Sequence, residues 1–349
     1  MPVEFRVTSL KAVFHNPLQN FELVEVPCEI RYDPLTGQAT RLVTIRKPSL
    51  PPHDWTPFIE ESLRRFCPFC PGQVEKATPR FPEELIPGGR LHLGEAVVVP
   101  NLNPYDKYSA VVIISPKHYL SMAELTPAVI SNSFEAGQEF LKKVTAKDPA
   151  GSKYCSINWN YMPYSGGSLI HPHLQVHAGP QPTSLLALMK EKAAQYFKKN
   201  GNIYWADLLA LEKERGERYL GCTGNVSWLA TFAPKALFDV VGIFPEKATV
   251  KDFAKKDLDE LAAGFKKVIA FYERSNVASF NAGLYFGQDT DRGFWVTARI
   301  VARFTIFPLV GSDYSHLQVM HDEAWVMYQP EQMCIELAPS FSLGQDILP

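Results

Sequence analysis

Along the 349 residues the order strand, strand, helix, strand, strand occurs twice, and a repeat of that kind restricts the fold more than any single motif does. In the first copy, Val97–Asn101 and Ala110–His118 are short apolar runs rich in Val and Ile, each carrying a proline. In the second, Ser227–Pro234 and Phe238–Lys247 match them. Runs of that length and composition favour strands over helices. A helix follows each pair. Thr126-Pro127 opens the first, through Lys143, where Val129, Ile130, Phe134, Phe140 and Leu141 can share a stripe; proline suits a first helical turn. The second, Lys256–Tyr272, carries Leu258, Leu261, Phe265, Val268, Ile269 and Tyr272 at three- and four-residue spacing. Two strands close each copy: Ser156–Asn160 with His171–His177, then Ala282–Phe286 with Phe294–Phe304. The pattern predicts an α+β fold, a tandem duplication of one unit with antiparallel sheets and flanking helices. The division falls in the polar, helix-prone stretch Lys190–Glu217 and is set at 1–195 and 196–349.

Composition removes several function classes. Lys and Arg number 35 against 37 Asp and Glu, so there is no electrostatic footprint for nucleic acid. No apolar run reaches the roughly 18 to 20 residues of a membrane span. The first residues lack the basic and apolar regions of a secretory signal. Six cysteines in a chain this long are too few for a disulfide scaffold, so a cytoplasmic protein is expected. The 28 prolines, several in extended stretches such as Lys47–Pro52, argue against an all-helical fold.

Three clusters can carry chemistry. Cys67-Pro68-Phe69-Cys70-Pro71-Gly72 places two thiolates at a spacing that can share one tetrahedral ion. The same spacing serves redox centres, but prolines and Gly72 around the pair favour a metal knuckle in a loop. Two further ligands must then come from histidines, because there is no second C-x-x-C. Cys28, Cys155, Cys222 and Cys334 read as buried small hydrophobes. In His171-Pro172-His173-Leu174-Gln175-Val176-His177, strand alternation puts His171, His173, Gln175 and His177 on one face. Four nitrogen-bearing side chains in a row are expensive to bury without a metal, an anion, or both. Just upstream, Ser165-Gly166-Gly167-Ser168 lets backbone N–H groups approach an anion closely.

Read in order, Arg31-Tyr32-Asp33-Pro34-Leu35-Thr36-Gly37, Arg46-Lys47-Pro48, the C-x-x-C with Thr78-Pro79, and His171-Pro172-His173-x-Gln175 resemble galactose-1-phosphate uridylyltransferase and its relatives in the histidine-triad superfamily. The resemblance covers most of the chain, and the duplicated unit is similar to that family's two halves. It implies a structural zinc on Cys67, Cys70, His118 and His171, with His173 as nucleophile and Gln175 as its phosphate-binding partner. Asn160, Gly166 and Ser168 would contact phosphate, and Asn101 the nucleoside. Glu323 and Gln329 would bind the sugar, and Arg46 would reach the neighbouring subunit of a homodimer. Departures touch specificity: Leu317 and Asp322 replace a basic and an aromatic residue of the family pattern, and Leu174 a smaller one. Arg299 and Arg303 stand where some members pair histidines on a second metal, so none is expected there.

The chemistry so implied is transfer of a nucleoside monophosphate between a nucleotide sugar and a sugar 1-phosphate or phosphate, through an N-phosphoryl His173. Gln175 argues for transfer or phosphorolysis over hydrolysis, because a phosphate leaves well without a proton. The alternatives are an adenylyl-transferring phosphorylase of ADP-glucose or another adenylylated anhydride, a dinucleoside polyphosphate hydrolase, and a non-catalytic zinc-stabilised nucleotide-binding protein. His177 can lie near the site or be merely exposed.

Overall fold

The computed structural model describes residues 3–43, 50–306 and 311–342. A hairpin of β1 (Arg6–Asn16) and β2 (Glu22–Tyr32) comes first, with β3 (Ala39–Val43) beside β2. Two short helices, α1 (Thr56–Leu63) and α2 (Val74–Ala77), bracket the C-x-x-C turn. The first copy then supplies β4 (Leu91–Leu93), β5 (Ala96–Pro100), β6 (Tyr108–Ile113), α3 (Pro127–Lys147), β7 (Tyr154–Tyr161) and β8 (His173–Gly179). After α4 (Ser184–Asn200) and α5 (Tyr204–Arg215), the second copy supplies β9 (Tyr219–Thr223), β10 (Val226–Ala230), β11 (Val240–Ile243), α6 (Lys255–Arg274), β12 (Ser279–Tyr285) and β13 (Thr297–Arg303). A two-residue pairing of β14 (Thr305–Ile306) with β15 (Gly311–Ser312), α7 (His316–His321), β16 (Ala324–Val326) and α8 (Pro330–Ser342) end the described chain.

One antiparallel sheet of ten strands, ordered β4-β5-β6-β8-β7-β12-β13-β11-β10-β9, holds both copies. The order reads the same from either edge once each strand is replaced by its repeat partner, so the duplication is a pseudo-two-fold about the β7–β12 pair. The Lys190–Glu217 stretch forms most of α4 and α5, and position 195 lies within α4. The two helices of the repeat lie side by side on one face, with Phe134 and Phe265 ring centroids 5.8 Å apart. The stripes read from the sequence are buried there: Ile130, Phe134, Phe140 and Leu141 from α3, and Leu258 through Tyr272 from α6. Pro127 occupies the first turn of α3, and Thr126 Oγ1 accepts from the Val129 N–H at 3.3 Å. Burying these apolar side chains against the sheet, at roughly 25 cal/mol per Å², is what commits the alternate strand residues to that face.

The opposite face is divided. Over the second copy, α4 and α5 pack Leu186, Ala193, Trp205 and Leu209 onto Leu229, Val241 and Ile243. Over the first, Phe69 of the C-x-x-C turn and Val74 of α2 pack onto Val99, Val111 and Ile113. α4 also reaches β7 on this face, where Lys190 Nζ lies 4.4 Å from the centre of the Tyr154 ring. A second sheet, β1-β2-β3-β16, joins β3 and β16 in parallel, pairing Thr40 with Ala324. Buried ion pairs anchor it to the second copy: Arg31 to Glu331 at 2.7 Å, Arg218 to Glu331 at 2.8 Å and Arg218 to Glu212 at 2.9 Å. No described helix is long and apolar enough to cross a membrane.

Candidate active site and metal centre

The C-x-x-C segment folds as a knuckle. The Cys70 N–H points to the Cys67 carbonyl at 3.4 Å and the Gln73 N–H to that of Cys70 at 3.0 Å, so both sulfurs turn to one side. His118 and His171 come to them from the turn after β6 and from the residues just before β8. All four ligand atoms lie within 4.8 Å of one another. Cys70 Sγ stands 3.1 Å from His118 Nδ1, and both sulfurs stand 3.7 Å from His171 Nδ1. Sulfur and nitrogen ligands on one tetrahedral zinc would be about 3.6 Å apart, given its usual bond lengths. The donor set therefore fits such an ion, and as four protein ligands it would close the shell.

The rings are also in the right tautomer. His171 Nε2–H donates to the Ser115 carbonyl at 2.8 Å. His118 Nε2 lies 2.8 Å from Ser62 Oγ, whose own hydroxyl donates to the Ile59 carbonyl at 2.8 Å. Ser62 must then accept from the ring. In both histidines Nδ1 is left as a lone pair facing the sulfurs, the arrangement outer hydrogen bonds usually impose on metal-bound imidazole. Burial holds His171 down at about 4 and lowers His118, so both are neutral near pH 7. Burial and the adjoining Cys67 push the Cys70 thiol up to about 11. A dication among the four groups reverses that balance.

Two residues beyond His171, His173 begins β8. Alternation along β7 and β8 sends Ile157, Trp159, Leu174 and Val176 into the core under α3. The other set, Asn158, Asn160, His173, Gln175 and His177, takes the face opposite α3. His173 is buried, and its Nδ1–H donates to the His171 carbonyl at 2.8 Å, which leaves Nε2 as the available lone pair. Burial lowers its pKa and keeps the ring neutral. Phe69 of the knuckle stands edge-on to it, centroids 5.4 Å apart. Gln175 lies across from Asn158 and Val111, and no described residue bonds its amide. His177 is tied to Ser109, Nδ1 to Oγ 3.2 Å.

The glycine loop leaves the end of β7. Gly166 takes a left-handed conformation (φ 91°), as a residue without Cβ can. Met162 is also at positive φ, 66°, which for a non-glycine stores strain in the turn. Ser165 is buried and donates back to the Tyr161 and Met162 carbonyls, at 2.9 and 2.7 Å. Gly166 and Ser168 are exposed. Asn160 meets Asn281 of β12, and Asn281 meets Arg303 of β13. Sequence reasoning missed Ser62, Ser115, Asn281 and Arg303.

The remaining expected residues stand on other elements. Asn101 follows β5, bonds through its N–H to the Ser109 carbonyl at 2.9 Å and closes its own turn on Asn103. Glu323 pairs with Arg41 at 2.7 Å and lines a cavity of about 210 Å³ with Lys235, Tyr314 and Gln318. A second cavity of about 180 Å³ is also lined by those three residues and by Asn281 and Arg303. Gln329 is half-buried ahead of α8. Arg46 lies outside the described residues. Cys155 and Cys334 are buried as expected, whereas Cys28 and Cys222 are only half-buried, because both fall on strands with a partly exposed face.

No family model matches the sequence. The fold is similar to an ADP-glucose phosphorylase from Arabidopsis thaliana crystallised with ADP-glucose, with TM-score 0.68 and 16% identity over 92% of this chain and 100% of that one. It is similar to a uridylyltransferase with TM-score 0.64 and 18% identity, over 91% of this chain and 99% of that one. These likenesses show the fold: one α+β chain with antiparallel sheets and flanking helices, shared with those two enzymes. In sequence, an uncharacterized protein of Archaeoglobus fulgidus is 35% identical over 316 residues, 90% of this chain and 92% of its own length. At that identity and coverage the chain belongs to one family with the Archaeoglobus fulgidus protein.

Proposed function

We propose that the protein is a nucleotidyltransferase that moves a nucleoside monophosphate between a nucleotide sugar and a sugar 1-phosphate or phosphate. The observation that carries this reading is His173: neutral, with Nδ1–H committed to the His171 carbonyl and Nε2 without a partner among the described residues, on the sheet face opposite α3. Nε2 attacks the α-phosphorus, the bond from phosphorus to the sugar-phosphate oxygen breaks, and the leaving phosphate carries the electron pair away. The Nδ1–H stays on the His171 carbonyl, which stabilises the positive ring of the intermediate. An incoming phosphate oxygen then displaces the ring and restores it. Asn160, Gly166, Ser168 and Gln175 hold the transferring phosphate as neutral donors, Asn101 meets the nucleoside, and Glu323 and Gln329 the sugar. No acid is needed for a phosphate leaving group, consistent with Gln175 two residues after the nucleophile.

Cys67, Cys70, His118 and His171 would hold a structural zinc, whose part is to clamp the start of β8 and so aim His173. The first copy does the chemistry and the second completes the pocket. The β1–β2 hairpin supports the homodimer: its paired strands expose Leu10, Val13, Phe14, Leu23 and, at the turn, Phe21, and a two-stranded ribbon so bare is marginal without a partner.

Uridylyl transfer from UDP-glucose in the manner of galactose-1-phosphate uridylyltransferase is the leading assignment, with ADP-glucose phosphorolysis the other outcome of the same test. The protein is incubated with each nucleotide sugar and the intact chain weighed. A uridylyl adduct that His173→Asn abolishes supports the first, and an adenylyl adduct the second. No adduct with either leaves a non-catalytic nucleotide-binding protein.

A further inference from the structure

We infer that Asn281, locked by Arg303, is a positioning residue that turns the side-chain amide of Asn160 so that its NH2 group, rather than its oxygen, faces the phosphate in front of His173. The inference rests on the transferase reading above and extends it to residues of the second copy. Arg303 can only donate. Its Nε and Nη2 bind the Asp313 carboxylate at 2.8 Å each, and its Nη1 donates to Asn281 Oδ1 at 2.9 Å. That contact identifies the oxygen of Asn281 and leaves its Nδ2 on the other side. There Nδ2 donates to the Ser165 carbonyl at 2.9 Å, which can only accept, and to Asn160 at 2.7 Å. Two fixed partners, one donor and one acceptor, therefore orient Asn281 independently. Asn160 must answer with its oxygen.

The consequence lies on the other side of Asn160. With Oδ1 turned to Asn281, its two N–H groups have no partner among the described residues and point away from β12. Asn160 and Asn281 are register partners at the β7–β12 seam, so the chain's two copies meet at this bond. The second copy thus contributes to phosphate binding without touching phosphate. Asp313 neutralises Arg303 with both oxygens, so the guanidinium acts as a lock and not as a phosphate clamp.

The test is Asn281→Asp. The carboxylate still accepts from Arg303, but it can no longer donate to Asn160, which must flip to donate and so present oxygen to the phosphate. Adduct formation at saturating nucleotide sugar is expected to slow about 100-fold, the size seen when one donor to a reacting oxyanion is removed. Asn160→Ala should slow it by a similar factor, and Asn160→Ala with Asn281→Asp should be no slower than Asn160→Ala alone. A purely structural role for Asn281 would instead multiply the two losses. Arg303→Met together with Asp313→Asn, which frees Asn281 without leaving a carboxylate unpaired, should give a smaller loss in the same direction and serves if Asn281→Asp does not fold. Labelling of Asn281→Asp at the wild-type rate, or multiplied losses in the double variant, overturns the inference while leaving the transferase reading intact. An unlabelled wild-type chain overturns both.

Discussion

Replacing Ser62 by Ala tests the metal centre through a residue that is not itself a ligand. Ser62 Oγ accepts from His118 Nε2–H at 2.8 Å, and its own proton is committed to the Ile59 carbonyl. Its helix, α1, buries none of its residues, so the change removes almost no packing. What it removes is the group that keeps the His118 lone pair on Nδ1, 3.1 Å from Cys70 Sγ. Loss of such an outer partner weakens metal affinity about 10- to 100-fold, or about 1.4 to 2.7 kcal/mol. At a free zinc concentration above both dissociation constants, that difference appears in full as lost stability. The melting entropy of a chain this size is about 0.7 kcal/mol/K, so Tm should fall by about 2 to 4 °C. Zinc affinity is measured by chelator competition and Tm by thermal scans at one fixed free zinc concentration, then again in excess chelator. The variant and wild type should melt together once the metal is gone. Unchanged zinc affinity, or a Tm loss that persists undiminished in chelator, would refute the reasoning.

Other perturbations address separate links. Cys67→Ser should lower zinc stoichiometry and melting temperature together; full zinc occupancy measured by elemental analysis would contradict the ligand set. Gly264→Ala drives a Cβ into the fully buried Trp228 indole, so it should destabilise the sheet–helix core by about 1 to 3 kcal/mol with zinc content unaltered, read by denaturant unfolding. Paired Leu10→Lys and Phe14→Lys substitutions on the exposed hairpin should shift the protein toward monomer in light scattering without lowering zinc content, and an unmoved dimer would place the interface elsewhere.

What the sequence made legible was whatever its local pattern could encode. Both repeat helices read correctly because Phe134 or Phe265 and their neighbours must fall on one buried stripe, and the strands because Val, Ile and Phe cluster in short runs. The face of β8 was readable from alternation alone, although the strand starts at His173 and His171 stands before it. The β1–β2 hairpin escaped notice because β1 is exposed along almost its whole length, and with no buried face its sequence carries no period to find. The β3–β16 pairing joins residues some 280 positions apart and has no local signature. Tautomer control was invisible for the same reason: a backbone carbonyl at Ser115 or His171 is not a residue type, so no motif records it.

The two copies present different side chains at matching positions of the sheet. On the face opposite α3 and α6, β8 presents His173 and Gln175, while β13 presents Arg299, Val301 and Arg303. Each arginine is matched to a carboxylate of its own copy: Arg299 Nε lies 3.4 Å from Asp239 and Arg303 binds Asp313 with two hydrogen bonds. A half-buried guanidinium already paired gains little from a passing phosphate, because the new attraction must offset the pair it disturbs. The α4–α5 helices then cover much of that face, and Arg303 is turned toward Asn281 at the seam. The second copy thus braces the first, and the brace acts at a definite atom, the side-chain oxygen of Asn160.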